Sequence, residues 1–171
     1  MSTGLQIFTA VHTLISLVAI VAGCVVMSGL IRSKRRDAWT AVFLGTAAAT
    51  TVTGFFFPFH GPTPAIILGV ISLVPLTFAF LGRYRHRLAG AWRWIYVVSA
   101  CVVLYFSVFV LVVQSFQKVP GLHALTPTES EPPFKVTQLT VLILFVVLTV
   151  VSTRNFHVED QPSVSSVGTS R

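Results

Sequence analysis

The chain has 171 residues, of which 54% are hydrophobic and 10% charged, and its mean hydropathy is +0.82. That balance excludes an ordinary soluble domain, in which about 25% of residues are charged. The net charge of +7 does not indicate a nucleic-acid partner, because the basic residues flank apolar runs and form no continuous patch with interleaved aromatics; anionic lipid headgroups are the expected counter-charge.

Five runs lack Asp, Glu, Lys and Arg: Leu5–Ile31, Trp39–Phe59, Pro64–Leu81, Trp94–Phe116 and Val136–Thr153. Each holds at least 18 residues, enough to cross most of a hydrocarbon layer about 30 Å thick. Lipid cannot satisfy exposed backbone N–H and C=O groups, so spans of this length should be α-helical. The predicted fold is all-α: one polytopic membrane bundle of five transmembrane helices over residues 1–153, then a disordered cytoplasmic tail over 154–171, rich in Ser, Val and Gly.

In the first run, Val21, Ala22, Gly23 and Cys24 spell something like a bacterial lipoprotein cleavage box. No basic residue precedes the run, it continues through Val25, Val26 and Met27, and a basic cluster follows. A retained helix is the expected outcome. The same run carries His12, whose helical face also holds Thr9, Ser16, Ala19 and Gly23. Such a small, polar stripe faces other helices and not lipid, which turns His12 into the bundle.

The second run contains GTAAATTVTG from Gly45 to Gly54. Small residues let backbones approach, so this helix is expected to be central and closely packed; a threonine-lined polar path is the alternative. Pro75 in the third run removes the usual donor to the Ile71 carbonyl and predicts a kink. Cys24 and Cys101 lie at similar depth near the basic boundary, where two packing thiols are expected in preference to a disulfide. Between the fourth and fifth runs, the 19 residues from Gln117 to Lys135 include VPGLHALTPTESEPPF. Its prolines and hydroxyl residues favour turns, giving either a structured outer cap or a flexible loop.

Orientation follows from the basic residues. Arg32, Lys34, Arg35 and Arg36 fill the first gap, Arg83, Arg85, Arg87 and Arg93 the third, and Arg154 and Arg171 the tail, against only Lys118 and Lys135 on the other side. The positive-inside rule then puts the N-terminus outside and the C-terminus in the cytoplasm. Trp39, Tyr84, Trp92, Trp94 and Tyr96 cluster at the basic boundary, where amphipathic rings prefer the headgroup level.

No carboxylate lies inside a run, which disfavours a proton-coupled carrier and an intramembrane aspartyl protease. No Gly-x-Ser-x-Gly, His-Glu-x-x-His or Cys-x-x-Cys occurs, so no catalytic residues are assigned and a non-enzymatic role is favoured. Histidine keeps one alternative open. His86 and His157 fall on the inner side, while His12, His60 and His123 converge on the outer side. His12 and His60 are candidate haem ligands, and His12, His60 and His123 candidate ligands of a transition metal, with Glu129 or Glu131 nearby. The alternative is that each ring is satisfied locally at the headgroup boundary.

The segments GFFFPFH from Gly54 to His60 and HALTPTESEPPF from His123 to Phe134 resemble an uncharacterised group of small bacterial multi-pass integral membrane proteins. The resemblance implies a bacterial inner membrane and carries no site roles. The leading expectation is therefore an accessory or interaction subunit, with the lipid bilayer and possible other membrane subunits as partners. A haem- or metal-linked redox protein is the alternative, and a small solute or lipid transporter a weaker one.

Overall fold

A computed structural model describes residues 3–57, 64–128 and 130–157. Their regular structure is helical: α1 (Thr3–Ile31), α2 (Asp37–Gly54), α3 (Pro64–Phe80), α4 (Trp92–Lys118), α5 (Pro120–Leu125) and α6 (Pro132–Asn155). A five-residue π-helical turn, Leu81–Arg85, extends α3. Among the described residues there is no strand.

Four segments are long and apolar enough to cross a membrane: α1, Ile66–Arg85, α4 and α6. The second predicted span is absent from that set for a chemical reason. Its helix, α2, has 18 residues that begin at Asp37 and continue through the Gly, Ala and Thr of its interior, so its apolarity is diluted. Its close neighbours compensate: α2 packs most extensively against α1 and also meets α3. Helices α1, α2, α3 and α4 close a ring of successive contacts, and α6 lies in the groove between α1 and α4.

The core fills the end of this ring nearest the basic loops. There Ala19, Ala22 and Val26 of α1 meet Phe43 and Leu44 of α2, Ala79 of α3, and Val97 and Leu104 of α4, all buried. Gly23 is the closest point. A methyl group built on it would stand 2.6 Å from Leu104 Cδ1 and 2.9 Å from Phe43 Cε2, so α1 approaches its two neighbours at a distance only glycine permits. Away from the core the apolar surface is left open: Leu139, Ile143 and Val147 of α6, and Ile67, Val70 and Val74 of α3, are exposed. Lipid is the solvent that such surfaces suit.

The ends of α1 and α6 are tied together. Helix α1 stops in a Schellman arrangement, with Lys34 N–H donating to Gly29 O at 2.8 Å and Ser33 N–H to Leu30 O at 3.2 Å, and Ser33 in the left-handed region at φ 54°. The Ser33 hydroxyl donates to His157 O at 3.0 Å and accepts from His157 N–H at 2.9 Å. Asn155 Nδ2 donates to Ile31 O at 3.3 Å, and Phe156 between them is 1% exposed. Of the expected tail, Arg154 and Asn155 continue α6, Phe156 is buried and His157 is held at Ser33. The remainder of that tail lies outside the described residues.

Helix α3 contains Pro75 and runs on to Phe80. Two expectations change. Cys24 is exposed while Cys101 is buried, and the Cys101 thiol lies 3.7 Å from Met27 Sδ, which also takes the Ser152 hydroxyl at 3.3 Å. Trp39, Tyr84 and Trp94 are exposed at the basic end as expected, but Tyr96 is 2% exposed and turned into the core, where its hydroxyl meets that of Thr40 at 3.4 Å.

Candidate functional site

The polar seam between α1 and α2 is set by residues four apart on α1. Thr53 Oγ1 lies 2.7 Å from Ala49 O and 2.8 Å from His12 Nδ1, so this hydroxyl links its own helix to the imidazole of α1. One turn further along, Ser16 donates to His12 O at 2.8 Å and lies 3.4 Å from Thr50 Oγ1. Phe57 stands edge-on to the imidazole with ring centroids 5.0 Å apart, and Phe8 contacts Phe57 at 4.8 Å. Of the expected inward face, His12, Ser16 and Gly23 thus meet α2. The ring is held by a hydroxyl and an aromatic edge, in a half-buried position.

The other predicted ligands are not joined to it by described contacts. His123 lies exposed on α5, a helix whose main packing partner is α4. His60 and Glu129 lie outside the described residues. Among the described residues, no group of three His, Cys, Asp or Glu side chains gathers in a way that could hold a metal ion.

The described part of the connection between α4 and α6 is braced by side-chain contacts. Val119 precedes α5 in extended conformation and Pro120 starts it, where a missing N–H costs nothing. Thr126 is fully buried, and Phe116 meets Phe134 edge-on at 5.5 Å, closing the base of the loop. Just before α6, the Glu131 carboxylate accepts the Thr128 hydroxyl at 2.7 Å and the N–H groups of Thr128 and Ser130 at 3.1 and 3.0 Å. The Thr128 hydroxyl, followed by those backbone donors, holds this exposed carboxyl below the usual carboxylate range. The loop presents Leu125 at 60% exposure and Val119 at 47%.

The basic end holds a second polar cluster. The π turn swings Arg83 inward until its side chain is 10% exposed, and its guanidinium pairs with Asp37 at the start of α2. Arg35 approaches the same carboxylate at 3.5 Å. The turn depends on Gly82, where an added Cβ would lie 3.0 Å from Tyr96 Cβ, and on left-handed Arg87, Leu88 and Gly90 in the connection to α4. His86 stacks on Trp92 across that connection, with centroids 3.8 Å apart and planes 3° from parallel. Beside Asp37 lies a shallow, widely open groove on the surface of one continuous stretch, Lys34, Arg35, Arg36, Asp37, Ala38 and Trp39. Sequence reasoning missed the Asp37–Arg83 pair, although one signal was present: Asp37 is the lone acid among the eight cations of the first and third gaps.

Comparison with known proteins adds no relative: no protein-family model fits the chain, and no curated protein or solved structure resembles it significantly. The four long apolar helices support a multi-pass membrane protein.

Proposed function

We propose that this chain is a five-span protein of a bacterial inner membrane, N-terminus outside and C-terminus cytoplasmic, that acts as a non-enzymatic accessory or interaction subunit through its outer loop and outer helix ends. The observation that carries this reading is the ordered outer loop, which is braced by Thr126, the Phe116–Phe134 contact and the Glu131 network yet turns Leu125 and Val119 outward. A loop built at that cost in order, with apolar residues on its outer surface, is suited to a partner. Inclusion of α2 as a span rests on its continuous contact with α1 and α3 and on the alternation of basic gaps. The test is a photo-crosslinking residue at Leu125 or, as lipid-facing control, at Val147 in native membranes. The reading expects a protein adduct of defined size from Leu125 alone; adducts from neither position contradict it.

A haem or transition metal held by His12 with His60 or His123 is the second reading. It is favoured by the hydrogen bond between His12 Nδ1 and the Thr53 hydroxyl, of the kind that orients a ligating imidazole. Purified protein with a Soret band, or with stoichiometric metal, that is lost on His12→Ala supports it. A folded, colourless and metal-free sample contradicts it.

A further inference from the structure

We propose that the groove at the start of α2 binds the phosphate of an anionic phospholipid headgroup, phosphatidylglycerol being the simplest case, through Lys34 and Arg36. The inference rests on the membrane reading above and adds to it a specific headgroup site. The charges around the groove are unbalanced. Four cations, Lys34, Arg35, Arg36 and Arg83, face one carboxylate, and Asp37 is already shared by Arg35 and Arg83. Lys34 and Arg36 have no ion-pair partner among the described residues, and both are exposed. A phosphate entering here meets two cations that have no ion-pair partner among the described residues, and the charge of Asp37 is more than offset by the two guanidinium groups that hold it.

The walls of the groove select a lipid over a soluble anion. Trp39 lines it and is exposed, and one turn further along α2 the exposed Val42 continues an apolar surface away from the basic end. A headgroup phosphate in the groove would therefore have its acyl chains directed along apolar protein, while the indole sits at the headgroup level where such rings concentrate. The first turn of α2 also carries no side-chain cap, so its N–H groups add a favourable field for an anion beside the two cations.

The test uses the full chain in nanodiscs of phosphatidylcholine with a graded fraction of phosphatidylglycerol, and lipid retained by the protein is counted by native mass spectrometry. Wild type should retain phosphatidylglycerol in preference to phosphatidylcholine. Because each basic side chain near an anionic lipid is worth about a fivefold change, Lys34→Gln with Arg36→Gln should lower that preference roughly 25-fold. Arg87→Gln with Arg93→Gln removes the same charge from the same end and should change it less than about twofold, because those residues do not line the groove. Lys34→Arg with Arg36→Lys should retain the lipid, which separates loss of the site from loss of the fold. Equal losses in the two neutral pairs would mean diffuse surface charge and overturn the proposal. Displacement of the lipid by inorganic phosphate or glycerol phosphate at millimolar concentration would overturn it in favour of a soluble-anion site. A chain that fails to enter the discs would instead refute the membrane reading.

Discussion

Alanine at Gly23 should destabilise the bundle while alanine at Gly45 stabilises it, although each change adds one methyl group to a helix. At Gly23 the new Cβ would lie 2.6 Å from Leu104 Cδ1 and 2.9 Å from Phe43 Cε2, so both neighbours must retreat by about 1 Å to reach ordinary carbon contact distances. They have little room, since Leu104 is 2% and Phe43 1% exposed. Overpacking of this kind costs roughly 1–3 kcal/mol, against which the better helix propensity of alanine returns about 1 kcal/mol. At Gly45 nothing lies within 4 Å of the added carbon, and the propensity gain of about 1 kcal/mol stands alone. The two variants should therefore differ by about 1–3 kcal/mol. Reversible unfolding in mixed micelles of rising SDS fraction, followed by helical circular dichroism, measures that difference. If Gly23→Ala proved as stable as Gly45→Ala, the close approach of α1 to α2 and α4 at this level would be refuted.

The remaining predictions address the polar contacts. A double-mutant cycle between His12→Phe and Thr53→Val should give a coupling of about 0.6 kcal/mol, the average for hydrogen bonds between membrane helices, and at most about 1.7; zero coupling would mean that the 2.8 Å contact does not form. Asp37→Asn leaves the largely buried Arg83 without its counter-charge and should cost about 1–3 kcal/mol in the same unfolding assay. Combined with Arg83→Met it should recover part of that loss, and an unchanged loss in the pair would argue against the contact. Glu131 has a depressed pKa when folded, so its contribution to loop order is complete above the ordinary glutamate value of about 4.3 and disappears as pH falls through the lower folded value. Protease sensitivity of the outer loop in an acid titration should therefore have its midpoint below that ordinary value, and Thr128→Val should move it upward. A midpoint unaffected by Thr128→Val would count against the Thr128–Glu131 bond.

How much was legible beforehand depends on the length scale of the signal. Helices α1, α4 and α6 were plain because uninterrupted apolar runs suffice to define them, and the inward face of α1 followed from the three- and four-residue spacing of His12, Ser16, Ala19 and Gly23. The position of α2 was harder to read. Its alanines and threonines are weakly apolar, and only its neighbours show that it is packed within the bundle. Tyr96 was misplaced at the headgroup level because its proximity to the basic gap outweighed its register with Val97, Ala100 and Leu104, which are buried on the same helix. The inward turn of Arg83 was legible only through Asp37, the lone acid among eight cations, since the π-helical turn that carries Arg83 packs Gly82 against Tyr96 from a distant part of the sequence pattern. Phe156 was assigned to a tail because the serine-rich residues after it dominate the composition, whereas the surface that buries it comes from distant parts of the chain. The predicted histidine set is legible only in part: His12 has a defined place against Thr53, His123 an exposed one, and His60 is outside the described residues.

The central claim, that the bundle crosses the membrane five times with α2 as one of the spans, is tested most directly by reporter fusions after Arg36, after Thr63 and at the C-terminus. The account predicts cytoplasmic, outer and cytoplasmic readings in that order. A cytoplasmic reading after Thr63 would mean that α2 does not cross, and would contradict both the topology and the placement of His12 and His60 on one outer face.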